Sequence, residues 1–146
     1  MNGRVLTETD PYNLDRFVKA QNGVFNRVCA ELREGRKRSH WMWFIFPQIK
    51  GLGSSDIAQQ FAISSLQEAE AYLSHPVLGA RLKQCTQLVN QIDGRTVDQI
   101  FGYPDNLKFR SSMTLFAQLP TDTQVFRDAL EKYFGGEPDP QTLEKL

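Results

Sequence analysis

Cationic and aromatic side chains follow one another in residues 35–48, which read GRKRSHWMWFIFPQ. Lys37 and Arg38 could bind a phosphate or a carboxylate, since arginine in particular makes forked, charge-assisted hydrogen bonds to such groups. Trp41 and Trp43 offer large flat surfaces on which a ring could stack. The segment therefore predicts a pocket for an anionic or nucleotide-like small molecule.

The same residues also have structural explanations, which the sequence leaves open. Cations near the C-terminus of a helix interact favourably with its macrodipole, each by about 0.3–1 kcal/mol. Tryptophan side chains are highly buried on average, so Trp41 and Trp43 could equally belong to the core.

His40 is the candidate for general acid–base catalysis, because histidine is the side chain that ordinarily titrates near neutral pH. If the pocket is catalytic, hydrolysis or group transfer with His40 as acid and base is the simplest chemistry. The other histidine, His75, precedes Pro76 and is assigned to a helix junction. Two histidines and two cysteines, without a C-x-x-C or H-E-x-x-H motif, predict neither a metal site nor a cofactor.

A second stretch with chemical potential, KFRSSMTLF, covers residues 108–116. If this stretch is helical, Lys108, Ser111 and Ser112 are three and four residues apart and share one face. The catalytic S-x-x-K order is reversed here, so a serine nucleophile is not predicted. The face could line a pocket, or its serines could cross-link helices. The glycines of GLGSSD at residues 51–56 lack the third glycine of a dinucleotide turn, and a plain turn with a helix cap is preferred.

Helical signals dominate the rest of the chain. Asp10 resembles an N-cap, apolar residues then recur at helical spacing over residues 14–32, and Gly35 follows as a stop signal. Gln21 and Gly23 interrupt this stripe, and Gln21 could either bond inside the fold or face a ligand. The aromatic run predicts a helical turn followed by an extended connection, with a buried strand as the alternative.

Further helix starts are predicted at cap residues, and the sequence then indicates a single all-α domain of about seven or eight short helices over residues 10–146. Residues 1–9 are predicted to be a flexible N-terminus. The predicted caps are Ser54 or Ser55, Ser65, Thr96, Asp105, and Thr121 or Asp122.

Composition excludes several classes of protein. The chain has 146 residues, 40% of them hydrophobic, which is typical of one soluble domain. Lysine plus arginine and aspartate plus glutamate both number 17, and zero net charge disfavours a nucleic-acid-binding protein. The longest apolar run is far shorter than the ~20 residues that cross a bilayer, and no secretory signal precedes it. A cytoplasmic location without a membrane partner is expected, with Cys29 and Cys85 as buried apolar residues.

Five motifs resemble the family catalogued as domain of unknown function 1810. They are RFVKAQ (residues 16–21), the 35–48 segment, GLGSS (51–55), EAEAYLSHPVLGARL (68–82) and IFGYPDNLKFRSSMTLF (100–116). The resemblance extends over about residues 10–135. It implies a multihelical fold and carries no established activity. Polar and aromatic residues within these motifs are Gln21, Lys37, Ser39, His40, Trp41, Trp43, Gln48, Lys108, Ser111 and Ser112.

The resulting functional hypothesis is a shared cleft for an anionic small molecule. In this cleft Trp41 and Trp43 form the walls, and polar side chains from two regions meet across it. The polar members are His40, Lys37 or Arg38, Gln21 and Gln48 from one region, and Lys108, Ser111 and Ser112 from the other. The alternatives are a protein–protein interaction module with an aromatic and basic surface, and nucleic-acid binding through the same strip.

Overall fold

A computed structural model describes residues 9–146, and ten helices lie wholly within that range. The all-α prediction is confirmed, with a few more helices than the sequence indicated. The prediction for residues 1–9 falls almost entirely outside the described residues. The helices are α1 (Asp15–Asn22), α2 (Phe25–Arg33), α3 (Met42–Ile45), α4 (Asp56–Gln60), α5 (Leu66–Ser74), α6 (Leu78–Asn90), α7 (Val97–Phe101), α8 (Asp105–Ala117), α9 (Gln124–Phe134) and α10 (Pro140–Glu144).

Several helices begin at the cap residues that the sequence predicts. Ser55 starts α4 and Ser65 starts α5, and each hydroxyl accepts a hydrogen bond from the backbone N–H three residues later, at 3.2 and 3.1 Å. Thr96 and Gln99 form a reciprocal capping box at the start of α7. Such signals can be predicted because capping involves only groups that are close in sequence.

The first predicted helix is two helices in the structure. Asp10 is not the N-cap of α1, a position that Leu14 takes, and α1 begins only at Asp15. The Asp10 carboxylate accepts from the N–H groups of Leu14 and Asp15, at 2.7 and 3.0 Å. The helix ends at Gly23, and Val24 has a φ of −130°, outside the helical region. Glycine is unfavourable in a helix interior by about 1 kcal/mol, which favours a break at this position.

Helix α8 lies in the middle of the domain, where it contacts α3, α5, α7, α9 and α10. Phe109 and every residue from 111 to 116 are buried, so the helix has no solvent-facing stripe. The Thr114 hydroxyl donates to the carbonyl of Arg110, and the Ser111 hydroxyl lies within hydrogen-bond distance of the Leu107 carbonyl and the Asp139 carboxylate. The buried Ser112 hydroxyl has no partner among the described residues. The buried environment of α8 explains its weak amphipathic pattern.

The aromatic run packs inward as a helical turn, α3, followed by Phe46 in a non-helical conformation, as predicted. The ring of Phe46 lies edge-on to Phe101 and Phe109, with centroids 5.9 and 5.0 Å apart. Cys29 and Cys85 are buried free thiols in the same core. In the described part of the chain, no helix has both the length and the apolar character needed to cross a bilayer.

Candidate functional site

A short backbone bridge closes the loop of residues 50–62 onto the core. Ile49 and Ile63 pair in parallel: the Lys50 N–H donates to the Ile63 carbonyl and the Ile63 N–H donates to the Gln48 carbonyl, both at 2.8 Å. The bridge joins residues that are distant in sequence, so it holds the glycine-rich turn and α4 at a defined position. This loop forms one wall of a cavity of about 670 Å³.

Two cavities, here together called the groove, meet at Trp43 and Gln48. The larger has a volume of about 670 Å³ and the smaller about 270 Å³, and both are also lined by Gly53 and Ala58. The larger cavity continues along the closed loop, and the smaller one continues along α8. The larger cavity is also lined by Lys50, Gly51 and Lys145. The smaller one is also lined by Leu107, Lys108, Ser111 and Gln141.

Trp43 is placed in the groove by the geometry of α3. This helix buries Met42 and Ile45 on its inner side, which leaves Trp43 half-buried on another side. The ammonium of Lys108 lies 4.2 Å from the centroid of the Trp43 ring, a cation–π distance. The indole and the Lys108 ammonium therefore form one composite wall, flat and positively charged.

The lining of the groove is positive. Lys50, Lys108 and Lys145 contribute ammonium groups, and no Asp or Glu is among the described residues that line it. Within residues 9–146, Lys50 and Lys145 make no ion pair, and the side-chain amide of Gln48 makes no hydrogen bond. These groups are therefore free to bind an anion or another polar ligand.

The C-terminal wall is anchored on α8 by hydrogen bonds to Asp139. Ser111 and Thr142 donate to the Asp139 carboxylate at 2.8 and 2.6 Å, and the Asp139 N–H donates to the Thr114 hydroxyl at 2.8 Å. These bonds fix α10 against α8. Lys145, the residue that follows α10, thereby reaches the groove.

The stem of Lys145 crosses Gly51 at close range. A Cβ at Gly51 would lie 3.3 Å from the Cε and Nζ of Lys145, and the φ of Gly51 is +94°, a region that favours glycine. A side chain at this position would push Lys145 away from the turn. Gly51 is thus needed both for the turn and for the approach of the C-terminal lysine.

The structure brings together only part of the predicted site. Trp43 and Gln48 line both cavities, and Lys108 and Ser111 line the smaller one. The remaining predicted residues do not line the groove: Gln21, Lys37, Arg38, His40, Trp41 and Ser112.

The prediction that Trp41 forms a ligand wall is wrong, because its side chain is only 1% exposed. Its indole N–H donates to the carboxylate of Glu31 at 3.0 Å. Glu31 also accepts from the backbone N–H groups of Arg38 and Ser39, at 2.7 and 3.1 Å, and from the Ser39 hydroxyl. Trp41 is therefore part of a structural network centred on a buried carboxylate.

Gln21 and Ser112 are also structural rather than ligand-facing. The Gln21 amide donates to the Phe44 carbonyl at 2.8 Å and to the Tyr72 hydroxyl at 3.1 Å, all within the core. Burial raises the pKa of Tyr72 well above its ordinary value. Ser112 is fully buried on α8, so a ligand in the groove cannot reach its hydroxyl.

The basic segment, residues 36–40, does not line the groove. Lys37 is paired with Asp105 at 2.8 Å and its side chain is 8% exposed, so it is not available to a ligand. Arg38 is exposed and pairs with Glu34, the residue that follows α2. His40 is exposed and makes no hydrogen bond within residues 9–146.

The proposed aromatic and basic interaction surface loses its aromatic part. Trp41, Met42, Ile45 and Phe46 are all buried, so the run does not form an exposed strip beside the cations. Trp43 and Phe44 are half-buried, and the exposed cations of that surface are Arg36 and Arg38.

Four residues that line or support the site were not predicted to belong to it: Glu31, Lys50, Asp105 and Lys145. Asp105 was predicted to cap α8, but it is the first residue of that helix and its carboxylate pairs with two lysines. Glu31 sits three residues after Val28 on the buried side of α2, and a charged residue there was a usable signal. Nothing in the sequence near Lys50 or Lys145 indicates a site, because only the tertiary fold brings the two lysines to the same cavity.

The pKa of Glu31 predicts how stability changes in acid. Burial would raise this pKa, but the hydrogen bonds from Ser39, Arg38 and Trp41 together lower it from 4.5 to about 2. The carboxylate therefore stabilises the fold above about pH 4.5, and this contribution is lost as the pH falls from 4.5 towards 2. Its size is about 3 kcal/mol, at 1.36 kcal/mol per pKa unit.

Urea unfolding of the wild type and of Glu31→Gln at pH 6 and pH 3 measures this contribution. The difference in unfolding free energy between the two proteins is expected to shrink at the lower pH, because only the wild type binds the proton. A difference that is the same at both values would contradict the role of the Glu31 charge.

Comparison with known proteins identifies relatives of the same fold. Residues 11–146 match the family described as "Protein of unknown function (DUF1810)". The chain is also similar to the conserved hypothetical protein Rv1873 from Mycobacterium tuberculosis, solved by crystallography at 1.38 Å. The two share 56% sequence identity with a TM-score of 0.93, over 94% of this chain and 98% of that chain. No curated protein matches the chain.

Proposed function

The chain belongs to the DUF1810 family of proteins of unknown function, and we propose that its groove binds a small anionic molecule that carries a flat ring. A mononucleotide is one compound of this class. The single observation that carries the proposal is the composition of the groove: three lysines, a half-buried tryptophan and no carboxylate among the described lining residues.

Each part of this composition has a matching part in the ligand. Ammonium groups attract phosphate or carboxylate, and two of them, Lys50 and Lys145, have no competing ion pair within residues 9–146. The Trp43 indole supports a planar ring by stacking, which contributes about 1–3 kcal/mol per base in single-strand binders. Gln48 supplies an amide that can both donate to and accept from a ring substituent.

The size of the groove agrees with such a ligand. Small-molecule sites in proteins typically have volumes of about 300–1,000 Å³. The larger cavity, at about 670 Å³, falls in this range, and the smaller one extends it along α8. The proposal is one of binding, because His40, the acid–base candidate from the sequence, does not line either cavity.

Thermal unfolding with a panel of ligands tests the proposal. The panel contains AMP, GMP, CMP and UMP, their nucleosides, and ribose 5-phosphate. At least one mononucleotide is expected to raise the melting temperature, because a ligand at 100 times its dissociation constant stabilises the folded state by about 2.7 kcal/mol. The nucleosides lack the charge and ribose 5-phosphate lacks the ring, so each should give a smaller shift.

Variants of the groove supply the controls. Trp43→Leu should abolish the shift, because it removes the ring on which the ligand stacks. Lys145→Gln removes one of the three ammonium groups and should lower the affinity about tenfold, which gives a smaller shift. Lys19→Gln is the matched control, because the Lys19 side chain is 80% exposed, pairs with Asp15 and does not line the groove. A panel without any shift, or a shift that survives in Trp43→Leu, would contradict the proposal.

A further inference from the structure

We infer that Lys37 and Asp105 set the positive charge that Lys108 presents to the groove, and that Lys37 is therefore a positioning and specificity-determining residue for an anionic ligand. This inference rests on the proposed function of the groove. It assigns a role to two residues that do not themselves line either cavity.

One carboxylate lies between two ammonium groups at the start of α8. Asp105 Oδ2 is 2.8 Å from Lys37 Nζ, and Asp105 Oδ1 is 3.3 Å from Lys108 Nζ. The three side chains are 8%, 18% and 21% exposed for Lys37, Asp105 and Lys108, so water screens their interactions only in part. We call these three residues the charge triad.

The charge triad has a net charge of +1, since two ammonium groups face one carboxylate. Lys37 cannot offer this charge to a ligand, because its side chain is only 8% exposed and its ammonium lies 5.2 Å from the ring centroid of the buried Trp41. Lys108 can do so, because it lies over Trp43 at the wall of the groove. The shorter contact of Asp105 is with Lys37, which leaves Lys108 only partly neutralised.

Backbone contacts hold Lys37 in this position. Its N–H donates to the carbonyl of Ile100 at 2.7 Å, which attaches the basic segment to α7. The next two residues, Arg38 and Ser39, donate their N–H groups to Glu31. Hydrogen bonds thus fix the backbone at Lys37 and at the two residues after it. The placement of the Lys37 side chain therefore does not depend on a ligand.

The charge triad leads to an ordered set of affinities for the tightest-binding of AMP, GMP, CMP and UMP, measured by calorimetry. Lys37→Met removes one positive charge, so Asp105 neutralises Lys108 completely, and affinity should fall about tenfold. Asp105→Asn removes the negative charge and should raise affinity about tenfold. The double variant restores a net charge of +1 and should return affinity to within about threefold of the wild type.

Controls separate this charge effect from a purely structural one. The affinity of the corresponding nucleoside, which has no charge, should change by less than twofold in all three variants. Lys37→Arg should restore nucleotide affinity. Arg38→Met is the matched control, because Arg38 is an exposed neighbouring cation that pairs with Glu34 and not with Asp105. Circular dichroism and the melting temperature confirm that each variant is folded.

The outcomes distinguish the two proposals. If the wild type binds none of the four nucleotides, the proposed function and this inference both fall. If the wild type binds but the double variant is as weak as Lys37→Met, or nucleoside affinity falls in parallel, only the inference falls. A nucleotide affinity within about threefold of the wild type in the double variant supports the inference even if Lys37→Met alone is too unstable to measure.

Discussion

Gly79→Ala is expected to destabilise the protein by about 3 kcal/mol, although alanine is the better helix former by about 1 kcal/mol. Gly79 lies in the first turn of α6, where the helix passes the end of α5. A Cβ built on Gly79 would lie 2.0 Å from the carbonyl oxygen of Leu73 and 2.9 Å from its carbonyl carbon. Because this neighbour is backbone, one of the two helices would have to move.

The displacement would spread through the core, since α5 and α6 pack against each other and both are attached to the central part of the fold. Leu78 on one side of the contact and Tyr72 on the other are completely buried. At 2–4 °C per kcal/mol, the melting temperature should fall by about 6–12 °C. Thermal unfolding followed by circular dichroism measures the change.

Gly23→Ala is the matched control for this experiment. Its Cβ would meet no atom within 4 Å, and the φ of Gly23 is −84°, which alanine adopts readily. This substitution should stabilise the protein by about 0.4–1 kcal/mol by restricting the unfolded chain. A Gly79→Ala variant that is as stable as the wild type would show that α6 does not approach α5 as closely as described.

Glu31→Ala is expected to cost about 3–5 kcal/mol, a large part of the stability of an ordinary domain. The substitution leaves the N–H groups of Arg38 and Ser39 and the indole N–H of Trp41 without their acceptor. An unsatisfied buried donor costs about 1–3 kcal/mol, reduced here where water can reach the backbone groups. Urea unfolding at pH 7 gives the free energy directly.

Glu34→Ala is the control from the same turn of the chain. Glu34 is 54% exposed and pairs with Arg38 at the surface, and such pairs contribute about 0–1 kcal/mol. Comparable losses in both variants would contradict the structural role of the Glu31 network. Glu31→Ala should also loosen Lys37, because two of the bonds that direct the basic segment end on Glu31.

The sequence was sufficient for the features that depend on neighbours along the chain. Ser55, Ser65 and Thr96 cap their helices because the bonded groups are three residues away. The aromatic run forms a helical turn before Pro47, whose ring restricts the preceding residue. The all-α class follows from the sum of such local signals, and the family resemblance was recovered from contiguous motifs.

Residues with the same local signal can nevertheless have opposite environments. Trp41 and Trp43 are two positions apart in one apolar run, yet Trp41 donates to Glu31 in the core and Trp43 lines the groove. Gly23 and Gly79 both interrupt a helical pattern, but only Gly79 is in contact with another helix. The periodicity of apolar residues could not distinguish these environments. Helix α3 is a single turn, and the segments that pack against these residues are remote in sequence.

The sequence by itself determined the all-α class, the caps Ser55, Ser65 and Thr96, and the residue types available for a site. Only the tertiary structure decided that Lys145 lies on Gly51, that Asp105 joins Lys37 to Lys108, and that Trp43 lines the groove while Lys37 does not. The physical reason is that capping and turn energies depend on groups a few residues apart, whereas burial and the pairing of charges depend on which distant segments pack together.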